Sequence, residues 1–148
     1  MNTFVEFPLV DNSKKPLMNG WRTIKESDYE ILSACDNHGV LCGIVSNIVV
    51  FDVDRKSEEQ KSHADKFISK WGLMDICNYI VKTPNDGYHF YFIYNNELPT
   101  TKHPRINGVS FLDIMSTGSF VVSANSTVSG KKYELIKESP LTDIPQPF

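Results

Sequence analysis

A chain of 148 residues with 41% hydrophobic and 11% aromatic side chains is long enough to bury one compact core, so we expect residues 1–148 to form a single domain. The formal net charge of -3 excludes a uniformly basic nucleic-acid coat, because contacts to phosphate need clustered Lys and Arg. The 3 cysteines include no CxxC pair, and the sequence shows neither a signal peptide nor a long apolar run. These features predict an intracellular protein without membrane contact.

The first half of the sequence predicts a helix, a strand and a second helix. A capping box predicts a helix over residues 28–37. Residues 43–54 are rich in β-branched side chains, which is typical of a mostly buried strand. Ser57 and Gln60 have the spacing that begins a second helix, and Gly72 can end it. One face of that helix is apolar: Ala64, Phe67, Ile68 and Trp71.

The second half predicts antiparallel strands. Residues 79–83 and 88–94 flank Pro84-Asn85-Asp86-Gly87, a strong turn signal, and therefore predict a hairpin. Residues 109–115 and 120–123 flank a second turn and predict a second pair of strands.

Two more segments complete the predicted organisation. Residues 132–136 can add a further strand, and the proline-bearing residues 140–148 predict the start of a linker to another domain. A helix-strand-helix unit followed by an antiparallel meander makes an α+β fold, of the α/β two-layer type.

Asp52 and Asp54 are the first candidate functional residues. Residues two apart in a strand share a face, so the two carboxylates project together while Val49, Phe51 and Val53 face the other side. At an effective dielectric of about 20, two such charges repel by roughly 3 kcal/mol. A divalent cation would compensate for this repulsion. The alternative is a strand that simply ends in solvent.

His89 and Asp113 are the next candidates. His89 lies on the opposite strand face from Tyr88 and Phe90, so it is not part of that aromatic stripe. An imidazole beside a metal site can donate to a phosphate oxygen, although a structural histidine fits the pattern as well. Asp113 lies in an otherwise apolar run and needs a cation or hydrogen-bond donors, which leaves a metal ligand and a structural aspartate both open.

In this order, residues 51–54, 83–92 and 112–113 resemble the three motifs of the archaeo-eukaryotic primase superfamily. Those motifs are a DxD pair, an SxH-like element and a hydrophobic residue followed by Asp. The chain looks most like the N-terminal domain of bifunctional primase/polymerases (prim-pol domains) of plasmid- and virus-type replication proteins. The resemblance extends from about Lys14 to Pro145. It implies a primase/polymerase catalytic core with an RRM-like meander.

The resemblance also implies roles for individual residues. Asp52, Asp54 and Asp113 would bind Mg²⁺ or Mn²⁺, with two ions in the site, and His89 would contact the phosphates of the incoming nucleotide. Gly87 would lie against the same phosphates. These ions would support the transfer of a nucleotide onto a primer.

Basic side chains must assist this chemistry. Lys15, together with Lys131 or Lys132, is the predicted contact to triphosphate or template. The implied partners are nucleoside triphosphates, a single-stranded DNA template with its primer, and a helicase, as a C-terminal domain or a separate protein. The implied location is the cytoplasm of a prokaryotic host or a site of virus replication.

The sequence departs from the motif pattern at two positions. Gly87 stands where the SxH element often has Ser, which removes a hydroxyl contact to phosphate. Asp86 stands where related sequences commonly have Gly, and an extra acid beside a triphosphate pocket could weaken nucleotide binding.

Two other functions fit parts of the sequence. A haloacid-dehalogenase-like phosphatase would use Asp52 as its nucleophile, since residues 49–54 also look like the strand that carries it. That family has Thr or Val at the position of Lys56 and an Asp-Asp or Glu-Asp pair later in the chain. This sequence has neither feature. A non-catalytic nucleic-acid-binding module would stack bases on exposed aromatic residues such as Tyr91.

Overall fold

The computed structural model describes residues 3–17, 20–23, 35–101, 105–106 and 108–145. The predicted helix over residues 28–37 lies mostly outside these ranges, and its last three residues are not helical. The described part contains two helices, α1 (Glu58–Trp71) and α2 (Leu73–Ile76), and a single 3-10 turn at Trp21–Thr23. Most of the other described elements are antiparallel strands, so the fold is α+β.

Twelve strands are present in the described residues. They are β1 (Glu6–Pro8), β2 (His38–Leu41), β3 (Ile48–Val53), β4 (Tyr79–Lys82), β5 (Tyr88–Ile93), β6 (Arg105–Ile106), β7 (Val109–Ser110), β8 (Leu112–Met115), β9 (Phe120–Val122), β10 (Thr127–Val128), β11 (Lys131–Lys132) and β12 (Glu134–Glu138). The largest sheet has five strands in the order β12-β4-β5-β3-β8, and the second has three in the order β1-β2-β9. Two short hairpins, β6-β7 and β10-β11, complete the set.

Helix α1 confirms the prediction from its end signals. The Ser57 hydroxyl accepts a hydrogen bond from the Gln60 amide, and Gly72 ends the helix with φ 61°, which only glycine adopts readily. Ala64 and Ile68 are buried against one face of the five-stranded sheet. The apolar stripe therefore packs as its spacing predicts.

The five-stranded sheet is covered on both faces. Helix α1 packs on the face that carries Val49, Phe51 and Val53. The three-stranded sheet packs on the face that carries Val50 and Tyr91. The predicted two-layer arrangement is therefore incomplete, because the described residues form a third layer.

Three predicted strand assignments need correction. The strand expected over residues 43–54 begins at Ile48, because residues 44–47 form a turn in which Asn47 has φ 56°. The expected pair of residues 109–115 and 120–123 is wrong, since β8 pairs with β3 while β9 pairs with β2 in the other sheet. The strand expected over 132–136 is interrupted at Tyr133, between β11 and β12.

The β4-β5 hairpin is confirmed, but it is the one place in the five-stranded sheet where sequence neighbours are also sheet neighbours. An RRM-like meander is therefore not confirmed. Residues 141–145 run beside the sheet, where the Ile93 amide donates to the Thr142 carbonyl and Ile144 is buried. The linker start predicted over residues 140–148 includes these residues, and its last three, 146–148, lie outside the described ranges.

Candidate active site

Three polar side chains form a row across the centre of the five-stranded sheet. Asp52 on β3 lies directly opposite His89 on β5 and directly opposite Asp113 on β8. Directly opposed residues of antiparallel strands share a face, with Cβ atoms about 4.5–5.5 Å apart. The sheet register therefore brings together three of the residues that the sequence singles out.

Asp52 forms the centre of this row. Its Oδ1 lies 3.4 Å from His89 Nε2, and its side chain is 25% exposed. Burial alone would raise the pKa of Asp52, but the charge and hydrogen bond of His89, with the charges of Lys14 and Lys56, hold the pKa below its ordinary value. Asp52 is therefore a carboxylate that this site keeps ionised.

Asp54 directly follows β3 and lies on the same face as Asp52, but its pKa is shifted in the opposite direction. Its amide donates to the Phe111 carbonyl at 2.7 Å, which fixes the backbone beside β8. Burial, followed by the negative charge of Asp52, raises the pKa of Asp54 to about 6, and Asp113 adds to this while Lys56 opposes it. The ionised form of Asp54 is therefore destabilised until a cation approaches.

Asp113 is half-buried and acts on Asp54 through its charge. It is absent, however, from the lining of the cleft described below. Within the described ranges, no group of three or more His, Cys, Asp or Glu side chains is gathered closely enough to hold a metal ion. The three acids share a face and an electrostatic field without converging on one point.

His89 is almost fully buried, with 4% of its surface exposed. One ring nitrogen faces Asp52, while Nδ1 has no hydrogen-bond partner in the part of the chain that the structure describes. The ring packs against Tyr133 at a centroid distance of 5.8 Å. Burial and packing therefore fix the position of the ring beside the acids.

A cleft of about 600 Å³ opens over this face of the sheet. Asp52, Asp54 and His89 lie at one part of it. Trp21, Phe120 and Tyr133 contribute aromatic surface. The cationic side chains that line it are Lys14, Arg22, Arg55, Lys56 and Lys131.

The turn between β4 and β5 forms one wall of the cleft. The Thr83 hydroxyl accepts a hydrogen bond from the Gly87 amide at 3.1 Å. A Cβ at Gly87 would lie 2.4 Å from the Val53 carbonyl oxygen and 2.9 Å from Thr83 Oγ1. Close packing against β3 therefore explains why glycine, rather than serine, occupies this position.

Asp86 does not act as the extra acid of the pocket that the sequence suggests. Its carboxylate lies 2.7 Å from Arg55 Nη1 and 3.3 Å from Lys82 Nζ, and it is absent from the cleft lining. Arg55 also binds Asp65 of α1 at 2.8 Å. The charge of Asp86 is thus neutralised, and Arg55 ties the turn to the helix beside Asp54.

The basic residues of the cleft are mostly not the ones that the sequence suggests. Lys14 and Lys131 line it, whereas their exposed neighbours Lys15 and Lys132 do not. Lys132 lies instead in a shallow groove beside the turn. Arg22, Arg55 and Lys56 also line the cleft and are not among the predicted contacts, although Arg55 and Lys56 directly follow Asp54, which is a usable signal.

Tyr91 is another correction. It is fully buried between β3 and β4 under the three-stranded sheet, so it cannot stack on a nucleic-acid base. The aromatic surface that the cleft offers comes from Trp21, Phe120 and Tyr133 instead.

The donor set fits a hard divalent cation. Asp52 and Asp54 supply carboxylate oxygens on one face, and the raised pKa of Asp54 marks a negative charge that the protein alone compensates only in part. Mg²⁺ is commonly held by one or two carboxylates, with water and substrate phosphates completing its shell. A site of this kind does not require three protein ligands to converge in advance.

Paired carboxylates beside cations in a nucleotide-sized cleft are typical of phosphoryl-transfer enzymes. The chain belongs to one family of such enzymes, because the family model described as "Bifunctional DNA primase/polymerase, N-terminal" (Prim-Pol) matches residues 3–147. No curated protein matches the chain significantly. Family membership supports a DNA primase/polymerase function in DNA replication, with nucleotides and DNA as substrates. None of the helices in the described residues is long and apolar enough to cross a membrane.

Proposed function

We propose that this chain is the catalytic domain that joins nucleotides on a single-stranded DNA template by metal-assisted phosphoryl transfer. The observation that carries the proposal is the position of Asp52 and Asp54 on one face of the central sheet, in a cleft that is also lined by cationic side chains. Acids alone would repel a triphosphate, and cations alone would not activate one. The combination suits a nucleotide that arrives with divalent ions.

In this proposal Asp52 and Asp54 hold Mg²⁺ or Mn²⁺, and Asp113 assists from the neighbouring strand in a site for two ions. Such ions neutralise charge on the phosphates and polarise the attacking 3′-hydroxyl. Asp52 is kept ionised and needs no deprotonation at neutral pH. Asp54 has a pKa of about 6, so it is also mostly ionised there and gains most from the cation.

His89 contacts a phosphate oxygen of the nucleotide. Its Nε2 faces Asp52 at 3.4 Å, so the hydrogen bond between them is long and weak. If Asp52 turned toward a bound metal ion, this nitrogen would become available to a phosphate oxygen. Burial of the ring means that His89 can donate without first losing much side-chain freedom.

The negative charge of the triphosphate is further neutralised by three lysines, Lys14, Lys56 and Lys131. All three line the cleft, and Lys14 and Lys56 already act on Asp52. Lys15 and Lys132, outside the cleft, suit contacts to the template or primer backbone. Gly87 lines the cleft and allows the β4-β5 turn to approach β3 closely.

The biological setting is part of the same proposal. The domain would act in a plasmid- or virus-type replication protein, inside the cell, with a helicase as a further domain or partner. The three-layer core with its helix α1 would be the primase/polymerase catalytic core. A phosphatase reaction at Asp52, and a purely binding function, are the outcomes that the test below separates from this one.

Extension of a labelled DNA primer on a template, with Mg²⁺ or Mn²⁺, tests the proposal. Wild-type protein should add nucleotides, and Asp52→Asn and Asp54→Asn should lose about 100-fold or more of that activity. Asp75→Asn is the matched control, because Asp75 is exposed on α2, outside the cleft.

Retention of activity in either cleft variant would refute the assignment of Asp52 and Asp54. A phosphate bound covalently to Asp52, without primer extension, would establish the phosphatase instead. Binding of DNA without any incorporation would leave a non-catalytic module.

A further inference from the structure

One wall of the cleft is a stack of aromatic and cationic side chains. Phe7, which is fully buried, stacks on Trp21 at 5.0 Å with an interplanar angle of 24°. Phe120 packs against the same indole in a T-shaped arrangement, with ring centroids 4.8 Å apart. The guanidinium carbon of Arg22 lies 4.1 Å from the centre of the Trp21 ring. Trp21, Arg22 and Phe120 all line the cleft, and we refer to these three residues as the aromatic wall.

Arg22 is fixed in place although it is exposed. Its Nε donates to the Gly118 carbonyl at 3.2 Å, and Trp21 supports the guanidinium by a cation-π contact. Across the described residues, Arg22 has no carboxylate partner. An exposed arginine that is held on two sides has already lost much of its side-chain freedom, so a ligand that uses it pays a smaller entropic cost.

We infer that the aromatic wall binds the base of the nucleotide whose phosphates lie at Asp52 and Asp54; this inference rests on the proposed function. Bases stack favourably on aromatic rings and on the plane of an arginine. The wall and the acids line the same cleft, whose volume of about 600 Å³ lies within the range of small-molecule sites.

A phosphate group would not account for the wall as well as a base does. Phosphate needs cations, and the lysines that act on Asp52 are Lys14 and Lys56. Phosphate gains nothing from the apolar rings of Trp21 and Phe120. A planar base can stack on the guanidinium plane of Arg22, which the Trp21 ring supports from behind. Because every base has such a plane, the wall should bind all four bases with similar affinity.

The test compares two ligands on two proteins. Affinities for deoxyadenosine triphosphate and for inorganic tripolyphosphate are measured with wild-type protein and with Arg22→Lys, which keeps the charge but removes the planar fork. The substitution should weaken binding of the nucleotide about tenfold, roughly 1.4 kcal/mol, and binding of tripolyphosphate less than about twofold.

Equal weakening of both ligands would make Arg22 a phosphate contact and overturn the inference. So would an unchanged affinity for the nucleotide.

A second measurement works without a change in the wall. The chain has 2 tryptophans, and Trp71 lies at the end of α1, packed against the core. In Trp71→Phe, Trp21 is the sole tryptophan, and its emission should change with deoxyadenosine triphosphate and stay constant with tripolyphosphate. A response to single-stranded DNA but not to the mononucleotide would assign the wall to the template and refute the inference.

The two proposals can fail separately. If Arg22→Lys bound the nucleotide and tripolyphosphate with equally changed affinities while the wild type extended primers, the assignment of the aromatic wall to the base would be refuted and the proposed function would stand. Base-dependent binding without primer extension would refute the polymerase function and leave the wall as a nucleotide site.

Discussion

Replacement of Asp54 by Asn should stabilise the metal-free protein at neutral pH, although it removes a charge from the candidate active site. The pKa of Asp54 is raised from 3.8 to about 6 by burial and by Asp52. The folded protein therefore binds more protons than the unfolded chain between these two values. Stability must fall as pH rises through this window, and the loss is complete above the folded pKa.

The magnitude follows from the same pair of values. The difference between about 6 and 3.8 corresponds to roughly 3 kcal/mol at 1.36 kcal/mol per pH unit. Asp54 is half-buried, and solvent screening reduces the figure to about 1–2 kcal/mol. Asp54→Asn should therefore raise the Tm at pH 7.5 by about 2–8 °C, given about 2–4 °C per kcal/mol for a chain of this size.

Urea unfolding with EDTA at pH 7.5 and at pH 3.5 measures this effect, with Asp75→Asn as the control for loss of an exposed acid. The advantage of Asp54→Asn should be present at pH 7.5 and should disappear at pH 3.5, where Asp54 is protonated in the folded wild type. Addition of Mn²⁺ at pH 7.5 should stabilise the wild type more than the variant. An advantage that is equal at both pH values would refute the electrostatic explanation.

Three more predictions follow from the site. His89→Gln should raise the KM for nucleotide about tenfold in steady-state primer extension, while stabilisation by Mn²⁺ persists, because the ring contacts phosphate rather than metal. Gly87→Ala should lower the free energy of unfolding in urea by roughly 2 kcal/mol, since its Cβ would lie 2.4 Å from the Val53 carbonyl oxygen; Gly87 is not among the glycines with a positive φ, so the loss would report the clash, and an unchanged stability would contradict it. Asp113→Asn should gain less Tm from Mn²⁺ than the wild type does, and an equal gain would remove Asp113 from the site.

The features that the sequence predicts correctly depend on neighbours along the chain. Helix α1 has its cap at Ser57 and its end at Gly72, within the segment itself. The shared face of Asp52 and Asp54 needs only the alternation of a strand. The β4-β5 hairpin has its turn signal between its strands. For these elements, local chemistry and the final fold agree.

The features that the sequence misses depend on distant partners. Nothing local distinguishes β8 and β9 from a hairpin, because each is decided by a strand far away in sequence. Tyr91 looks exposed until the three-stranded sheet covers it. Lys14 lines the cleft and Lys15 does not. The two residues lie in an irregular segment, where no periodic pattern predicts which side chain faces the cleft.

The most direct test of the central claim is a crystal structure of the protein with Mn²⁺ and a non-hydrolysable deoxynucleoside triphosphate, in which anomalous scattering locates the ions. The proposal predicts Mn²⁺ within about 2.5 Å of carboxylate oxygens of both Asp52 and Asp54, with phosphate oxygens completing the shell and His89 in contact with one of them. Mn²⁺ bound away from these two aspartates, or a nucleotide bound outside the cleft, would contradict it.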